Sequence, residues 1–160
     1  MTDFKLISID LDDRGLPTPT PEIESERKVA IYDLIEENSF APVPPSGHEA
    51  IGPFALKLGI NEGRLVFDVT DKSNDGKAQF ILSLSPFRQT IKDYFDICHA
   101  YFEAVKNLPP SQIEAIDMGR RGIHNEGARL LAERLEGKID IDHDTARRLF
   151  TLISALHFRG

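Results

Sequence analysis

Side chains that could hold an anion and move a proton are concentrated in residues 111–134 of this 160-residue chain. Arg120 and Arg121 are adjacent, and His124 follows Arg120 by one helical turn. A guanidinium binds a carboxylate or phosphate through parallel hydrogen bonds, and an imidazole exchanges a proton near neutral pH. This pattern predicts a site for an anionic ligand, with His124 as the candidate catalytic acid or base.

Further polar residues extend this candidate site. Asn125 and Glu126 follow His124 directly and would orient the ligand or the imidazole. Arg147 and Arg148 belong to a second helical segment near the C-terminus and would dock the same anion or an acidic protein partner. The predicted ligand-binding residues are therefore Arg120, Arg121, Asn125, Glu126, Arg147 and Arg148.

The same charges also have ordinary partners within helical reach. Asp117 precedes Arg121 by four residues, and Glu126 precedes Arg129 by three. Exposed pairs at this spacing contribute only about 0.3–0.5 kcal/mol each. A solvated, ion-paired helix face is therefore an equally simple interpretation of these residues.

Three glycines make the conformation of this segment the open question. In one interpretation a single helix runs from residue 112 to about residue 136, and Gly119 and Gly122 let another backbone or a second copy approach. In the other, the helix ends at Gly122 and Asn125 caps a new one, which forms an anion site in outline. We favour the continuous helix. An interior glycine costs about 1 kcal/mol relative to alanine, so each one requires a structural reason.

Capping residues predict where the helices begin. Ser or Thr followed by proline places a cap before the first helical position, and an S-x-x-E pattern at Ser111 and Glu114 is a capping box. The predicted caps are Thr20, Ser85, Ser111 and Asp142.

Two groups of aspartates could suggest metal binding. Asp140, Asp142 and Asp144 resemble a calcium loop, but the glycine and the bidentate glutamate of such a loop are missing, so capping explains them better. The group near Asp12 fits a polar turn after a strand. The sequence predicts no metal site and no cofactor.

The last helix carries a wide apolar face, made of Ala146, Leu149, Phe150, Ile153 and Leu156. Arg147, Arg148 and Thr151 fall outside this set and are predicted to point outward. The helix is therefore expected to be buried on most of its surface.

Alternation of apolar residues predicts a strand at residues 4–11 and a three-stranded meander over residues 54–84. The turns fall at residues 61–63 and 71–77, where Asp75-Gly76 is the strongest turn signal. Proline-rich loops occupy residues 14–21 and 41–53, and His48 in the second is expected to be solvated. We predict one α+β domain over residues 1–160, in which a small antiparallel sheet, the meander plus the N-terminal strand, is covered by about four helices.

The composition of the chain argues against several classes of function. A net charge of −7 and a pI near 5.2 argue against a nucleic-acid binder. A single cysteine, Cys98, excludes a disulfide framework, and no signal peptide or membrane-spanning apolar run is evident. We expect a cytoplasmic protein with no membrane partner.

Three segments carry a family resemblance: SLSPFRQTIKDYFDIC, PSQIEAIDMGRRGIHNEGARLLAERL and IDIDHDTARRLFTLISALHF. They resemble the UPF0262 family, small uncharacterised proteins of alphaproteobacteria. The resemblance covers most of the chain and is strongest from Ser83 onward. It implies a bacterial cytoplasmic protein and brings no catalytic residues with it.

Two functions follow from the residues. The first is a non-catalytic binding or regulatory module, which uses the arginine-rich helical surface for a small anionic ligand or an acidic partner. The second is a small enzyme acting on a phosphorylated or carboxylated metabolite, with His124 as general acid or base. No phosphate loop, zinc-protease motif or nucleophile elbow is present, which favours binding. A homodimer through the glycine strip is also compatible with the sequence.

Overall fold

Helices and a mixed sheet make up this computed structural model, which describes residues 3–16, 18–44, 47, 49–72 and 76–157. Within those ranges the strands are β1 (Leu6–Asp12), β2 (Phe40–Pro42), β3 (Phe54–Asn61), β4 (Arg64–Thr70), β5 (Lys77–Ser83) and β6 (Ile139–Ile141). The helices are α1 (Pro21–Glu36), α2 (Arg88–Asn107), α3 (Pro110–Arg134) and α4 (His143–His157), and a 3-10 turn at Ser85–Phe87 leads into α2. The α+β class is confirmed. Across these ranges, every helix is too short or too polar to cross a lipid bilayer.

The four-stranded sheet has the order β1-β3-β4-β5. The predicted meander is confirmed, since β3, β4 and β5 pair antiparallel. The N-terminal strand completes the sheet but runs parallel to β3, so the prediction of a purely antiparallel sheet is wrong. Parallel pairing requires a long crossover, and the segment that contains α1 supplies it.

A second, two-stranded sheet joins distant parts of the chain. Phe40 pairs with Ile141 and Pro42 with Ile139, so β2 and β6 are antiparallel. Ile139 and Ile141 alternate with aspartates, which indicates an extended piece at residues 139–141, and β6 confirms it. The loop predicted from residue 41 is wrong for Ala41 and Pro42, which belong to β2. Three residues are too few to show a period, and the partner strand is remote in sequence. His48 lies outside the described residues.

The turn between β3 and β4 confirms the turn chemistry read from the sequence. Glu62 has a φ of 52° and Gly63 a φ of 74°. Two successive residues with positive φ are typical of the two-residue hairpin turn that matches the twist of its strands. The turn predicted at Asp75-Gly76 cannot be compared, because Asp75 lies outside the described residues.

α4 is the centre of the core. Every residue from Thr145 to Leu156 except Arg147 and Arg148 is buried, because α4 packs against α1, α3 and the sheet at once. The prediction that Thr151 points outward is therefore wrong, since it is only 9% exposed. Arg147 and Arg148 are themselves half-buried.

Two of the four predicted caps are confirmed. Thr20 accepts a hydrogen bond from the Ile23 amide at 3.2 Å, and Asp142 accepts one from the Thr145 amide at 2.9 Å. The cap at Ser85 is wrong, because α2 continues from the 3-10 turn without a side-chain cap.

The capping box of Ser111 is also wrong, because α3 begins at Pro110 and Ser111 lies inside it. A proline at the first helical position has no N–H that needs an acceptor.

α3 is one continuous helix, so the alternative break at Gly122 is wrong and the favoured interpretation is confirmed. Its glycines differ in their surroundings. A Cβ at Gly119 would lie 2.8 Å from Ile97 Cδ1, and a Cβ at Gly127 would lie 2.5 Å from the Phe150 ring. A Cβ at Gly122 would meet nothing within 4 Å among the described residues, so Gly122 is not a packing residue there.

This difference predicts opposite effects for two otherwise identical substitutions. Gly127→Ala should lower the free energy of unfolding by about 1–3 kcal/mol, because the fully buried Phe150 ring has no space to move into. Gly122→Ala should raise it by about 0.5–1 kcal/mol, because alanine favours a helix interior and the site is open. Urea unfolding measures the free energy of unfolding of both variants. Equal changes in the two would contradict the close contact of Gly127 with Phe150 and the open space at Gly122.

Candidate functional site

A cavity of about 360 Å³ lies where α1, α3 and α4 meet, beside Tyr94 of α2. Sites for small ligands usually enclose about 300–1,000 Å³, so the volume suits a small metabolite. The lining residues are Glu26, Val29, Ala30, Asp33, Tyr94, Arg120, Arg121, His124, Asp144, Arg147, Arg148 and Thr151.

Five of the seven site residues predicted from the sequence line this cavity. His124 lies on the same side of α3 as Arg120 and Arg121, which it follows by four and three residues, and Arg147 and Arg148 come from α4. The other two predicted residues are not among the lining set. The Oδ1 of Asn125 lies 3.3 Å from Nε2 of His143, and Glu126 is exposed.

Asp117 holds the two arginines of α3. Its Oδ1 accepts hydrogen bonds from Arg120 Nε at 3.1 Å and Nη2 at 2.6 Å, and its Oδ2 lies 2.7 Å from Arg121 Nη2. The hydrogen bond from Arg120 is the main reason that the pKa of Asp117 is lowered. The predicted Asp117–Arg121 pair is thus confirmed. One carboxylate balances only one of the two guanidinium charges.

Arg120 is further fixed by an aromatic ring. Its guanidinium carbon lies 4.3 Å from the centre of the Tyr101 ring, within the range of a cation–π interaction. Arg120 is therefore oriented before any ligand arrives, which lowers the entropy lost on binding.

The arginines of α4 are less neutralised. Arg148 Nη1 donates a hydrogen bond to the Glu37 carbonyl at 3.0 Å, and a carbonyl carries no charge to balance it. Arg147 Nη1 lies 3.9 Å from the exposed Asp144 carboxylate, and its buried Nε has no hydrogen-bond partner among the described residues. Both side chains keep donors and charge for a ligand.

His124 is held by oxygens at one ring nitrogen. Nε2 lies 2.8 Å from the Arg147 carbonyl and 2.9 Å from Thr151 Oγ1, while the Thr151 hydroxyl donates to the same carbonyl at 3.2 Å. This network assigns the proton to Nε2, because a carbonyl can only accept. In the neutral ring, Nδ1 then carries the lone pair. The Tyr94 ring stacks on the imidazole with centres 5.2 Å apart.

Burial lowers the pKa of His124 below its ordinary value of 6.5. The positive charges of Arg147 and Arg120 lower it further, and the hydrogen bond to the Arg147 carbonyl opposes them. The imidazole is therefore neutral at pH 7, which is the state that a general base requires.

This lowered pKa predicts how stability depends on pH. The unfolded chain takes up a proton at His124 before the folded protein does, so stability is complete above about pH 6.5 and falls as the pH drops toward the folded pKa. His124→Gln removes this loss, so the stability advantage of wild type over the variant should shrink from pH 7.5 to pH 5. Urea unfolding at both pH values measures it, with the exposed His99→Gln as control. An advantage that grows at low pH would contradict the assignment.

The acidic wall of the cavity was not predicted from the sequence. Glu26 and Asp33 of α1 line it and are seven residues apart, two turns along one helix face. Burial raises the pKa of Glu26, and the charge of Arg120 opposes that rise. The seven-residue spacing of Glu26 and Asp33 is the sequence signal that could have identified this face.

Comparisons with known proteins identify relatives over nearly the whole chain. The profile of the uncharacterised protein family UPF0262 matches residues 3–159. A UPF0262 protein of Ruegeria sp. (strain TM1040) is 65% identical over 158 residues, which cover 98% of this chain and 99% of that protein. A UPF0262 protein of Jannaschia sp. (strain CCS1) is 67% identical over 150 residues, 94% of this chain and 95% of that protein. No solved structure matches.

Proposed function

Since the chain belongs to the UPF0262 family, whose description states no activity, we propose from the geometry that it is a non-catalytic binding module for a small anionic ligand. The ligand occupies the cavity between α1, α3 and α4. Its anionic group is held by the arginines of α3 and α4, as in a bidentate guanidinium–carboxylate or guanidinium–phosphate pair.

One observation carries this proposal: four arginines from two helices line the same cavity. Like charges repel, so such a group is costly unless an anion joins it. Asp117 balances one charge on α3, and the only ion pair of Arg147 or Arg148 among the described residues is the 3.9 Å contact with exposed Asp144. A positive excess therefore remains within the arginine group.

The shape of the site favours a small ligand over a protein partner. The cavity is concave and about 360 Å³ in volume, so a protein surface has poor access to its wall. A phosphate or carboxylate of a small metabolite can enter it and meet the arginine side chains that line it. An acidic partner protein would instead require the arginines on a convex surface.

Pyrophosphate provides a direct test. At constant ionic strength and at a concentration 100 times its Kd, it should raise the free energy of unfolding by about 2.7 kcal/mol. Arg147→Ala should remove most of this rise, whereas Arg129→Ala, an exposed arginine of α3 outside the cavity, should retain it. Thermal unfolding with and without pyrophosphate measures both variants. A rise that survives Arg147→Ala would contradict the proposal.

One observation favours a second candidate function. His124 is neutral and lies in the same cavity as the arginines, which is the arrangement of a general base beside a bound anion. Against it, Nε2 is already held by the Arg147 carbonyl and Thr151, so only Nδ1 could act. If the protein is an enzyme, NMR of a mixture of phosphorylated and carboxylated metabolites should show turnover that His124→Gln abolishes. As a binding module it shows none, and His124→Gln still binds pyrophosphate.

A further inference from the structure

The two walls of the cavity carry opposite charges. α1 contributes Glu26 and Asp33, separated by the apolar residues Val29 and Ala30. The facing wall consists of the arginine side chains of α3 and α4. A ligand that carries only negative charge would be attracted to one wall and repelled by the other. Anion binding alone therefore does not explain the two carboxylates that α1 places in the cavity.

The walls are not joined by a direct ion pair, although the charge of Arg120 lowers the pKa of Glu26. Within the part of the chain that the structure describes, no ion pair of 4.0 Å or less joins Glu26 or Asp33 to an arginine of the facing wall. The arginines there pair with Asp117 and Asp144 of α3 and α4, and Arg148 donates to the backbone carbonyl of Glu37, just past the end of α1. The cavity therefore separates two charged groups that form no direct ion pair across it.

Glu26 is the carboxylate of this wall whose pKa is raised by burial. It is half-buried, and in the described ranges no group donates a hydrogen bond to its carboxylate. Burial raises its pKa because the charged form has lost water, and Arg120 offsets this only in part. A carboxylate in this state gains most from a positively charged donor brought by a ligand.

We propose that the ligand of this cavity is zwitterionic, with a protonated amine that binds Glu26 and Asp33 and a phosphate or carboxylate that binds the arginines of α3 and α4. This inference rests on the proposed function and specifies its ligand class. The hydrocarbon that joins the two charged groups of the ligand then lies against Val29 and Ala30.

Matched pairs of probes isolate the amine. O-Phosphoethanolamine and ethyl phosphate differ by the amino group alone, and so do glutamate and glutarate; the two pairs distinguish phosphate from carboxylate recognition. In calorimetric titrations at pH 8 and fixed ionic strength, the amine-bearing member of at least one pair should bind ten times more tightly or better. Glu26→Gln should bring that ratio close to one without weakening the amine-free member. Glu36→Gln, an exposed residue of the same helix, should leave the ratio unchanged.

The outcomes separate this inference from the proposed function. If pyrophosphate binds through Arg147 but both members of each pair bind equally, or neither binds, the zwitterion inference is overturned and anion binding stands. A preference for the amine that persists in Glu26→Gln overturns the role of α1. If pyrophosphate itself does not bind, the proposed function fails and this inference fails with it.

Discussion

Arg148→Glu should weaken pyrophosphate binding by about a hundredfold, which corresponds to about 2.7 kcal/mol. Arg148 lines the cavity and donates to the uncharged Glu37 carbonyl, so its full charge is available to an anion. The substitution replaces an attraction by a repulsion at the same position. Isothermal titration calorimetry at a fixed ionic strength of about 0.1–0.15 M measures the change in Kd.

A matched variant separates this local effect from a change in net charge. Arg134 is an exposed arginine in the last turn of α3, away from the cavity. Arg134→Glu alters the net charge by the same amount and should change the Kd less than threefold, because exposed charges beyond about 8–10 Å are screened by salt. Equal losses in the two variants would show that pyrophosphate senses overall charge instead of this cavity.

Asn38→Ala should lower the free energy of unfolding by about 2–4 kcal/mol, the largest loss expected from a single polar substitution here. The buried Asn38 side chain accepts a hydrogen bond from the Leu6 amide at 2.8 Å. It also donates to the carbonyls of Leu6 at 3.0 Å and Leu34 at 2.6 Å. It thereby joins the end of α1 to β1, and alanine would leave buried backbone groups without these partners.

Asn107→Ala is the matched control for that substitution. Asn107 also lies at a helix end and donates to a backbone carbonyl, that of Glu103 at 3.3 Å, but it is exposed. Water replaces its hydrogen bond, so the expected change is within about 0.5 kcal/mol. Chemical denaturation of both variants provides the comparison. Similar losses would mean that burial of the amide at position 38 does not determine its contribution.

The chemistry of the site could be predicted because it follows from spacing along single helices. Arg120 and His124 share a face of α3 whatever α3 packs against, and Arg147 and Arg148 are adjacent on α4. The predicted arginine-rich helical surface did not anticipate the cavity. Its other walls come from α1 and α4, whose placement depends on tertiary packing that no local pattern specifies.

The acidic wall was missed for the same reason. Glu26 follows Glu22 and Glu24 of the first turn of α1, where the helix dipole favours acidic residues, so it looked like a continuation of that acidic run. Thr151 was predicted to point outward because it falls outside the apolar residues of its helix, whereas α4 is surrounded on several sides. In both cases the error is about neighbours that are distant in sequence.

The local errors have local causes. Ser111 and Glu114 match a capping box, but the preceding prolines start α3 earlier and remove the need for a cap. The direction of β1 cannot be read from alternation, which is the same for parallel and antiparallel strands.

An NMR titration of the isotope-labelled protein with pyrophosphate tests directly whether an anion binds in the cavity between α1, α3 and α4. The side-chain Nε–H resonances of Arg147 and Arg148 and the imidazole of His124 should shift together and saturate with a single Kd, because all three line one cavity. The Nε–H resonances of Arg129 and Arg134, which lie outside the cavity, should not shift. Small shifts that do not saturate and are spread over all arginines would contradict anion binding in this cavity. Saturable shifts confined to Arg129 and Arg134 would contradict it as well.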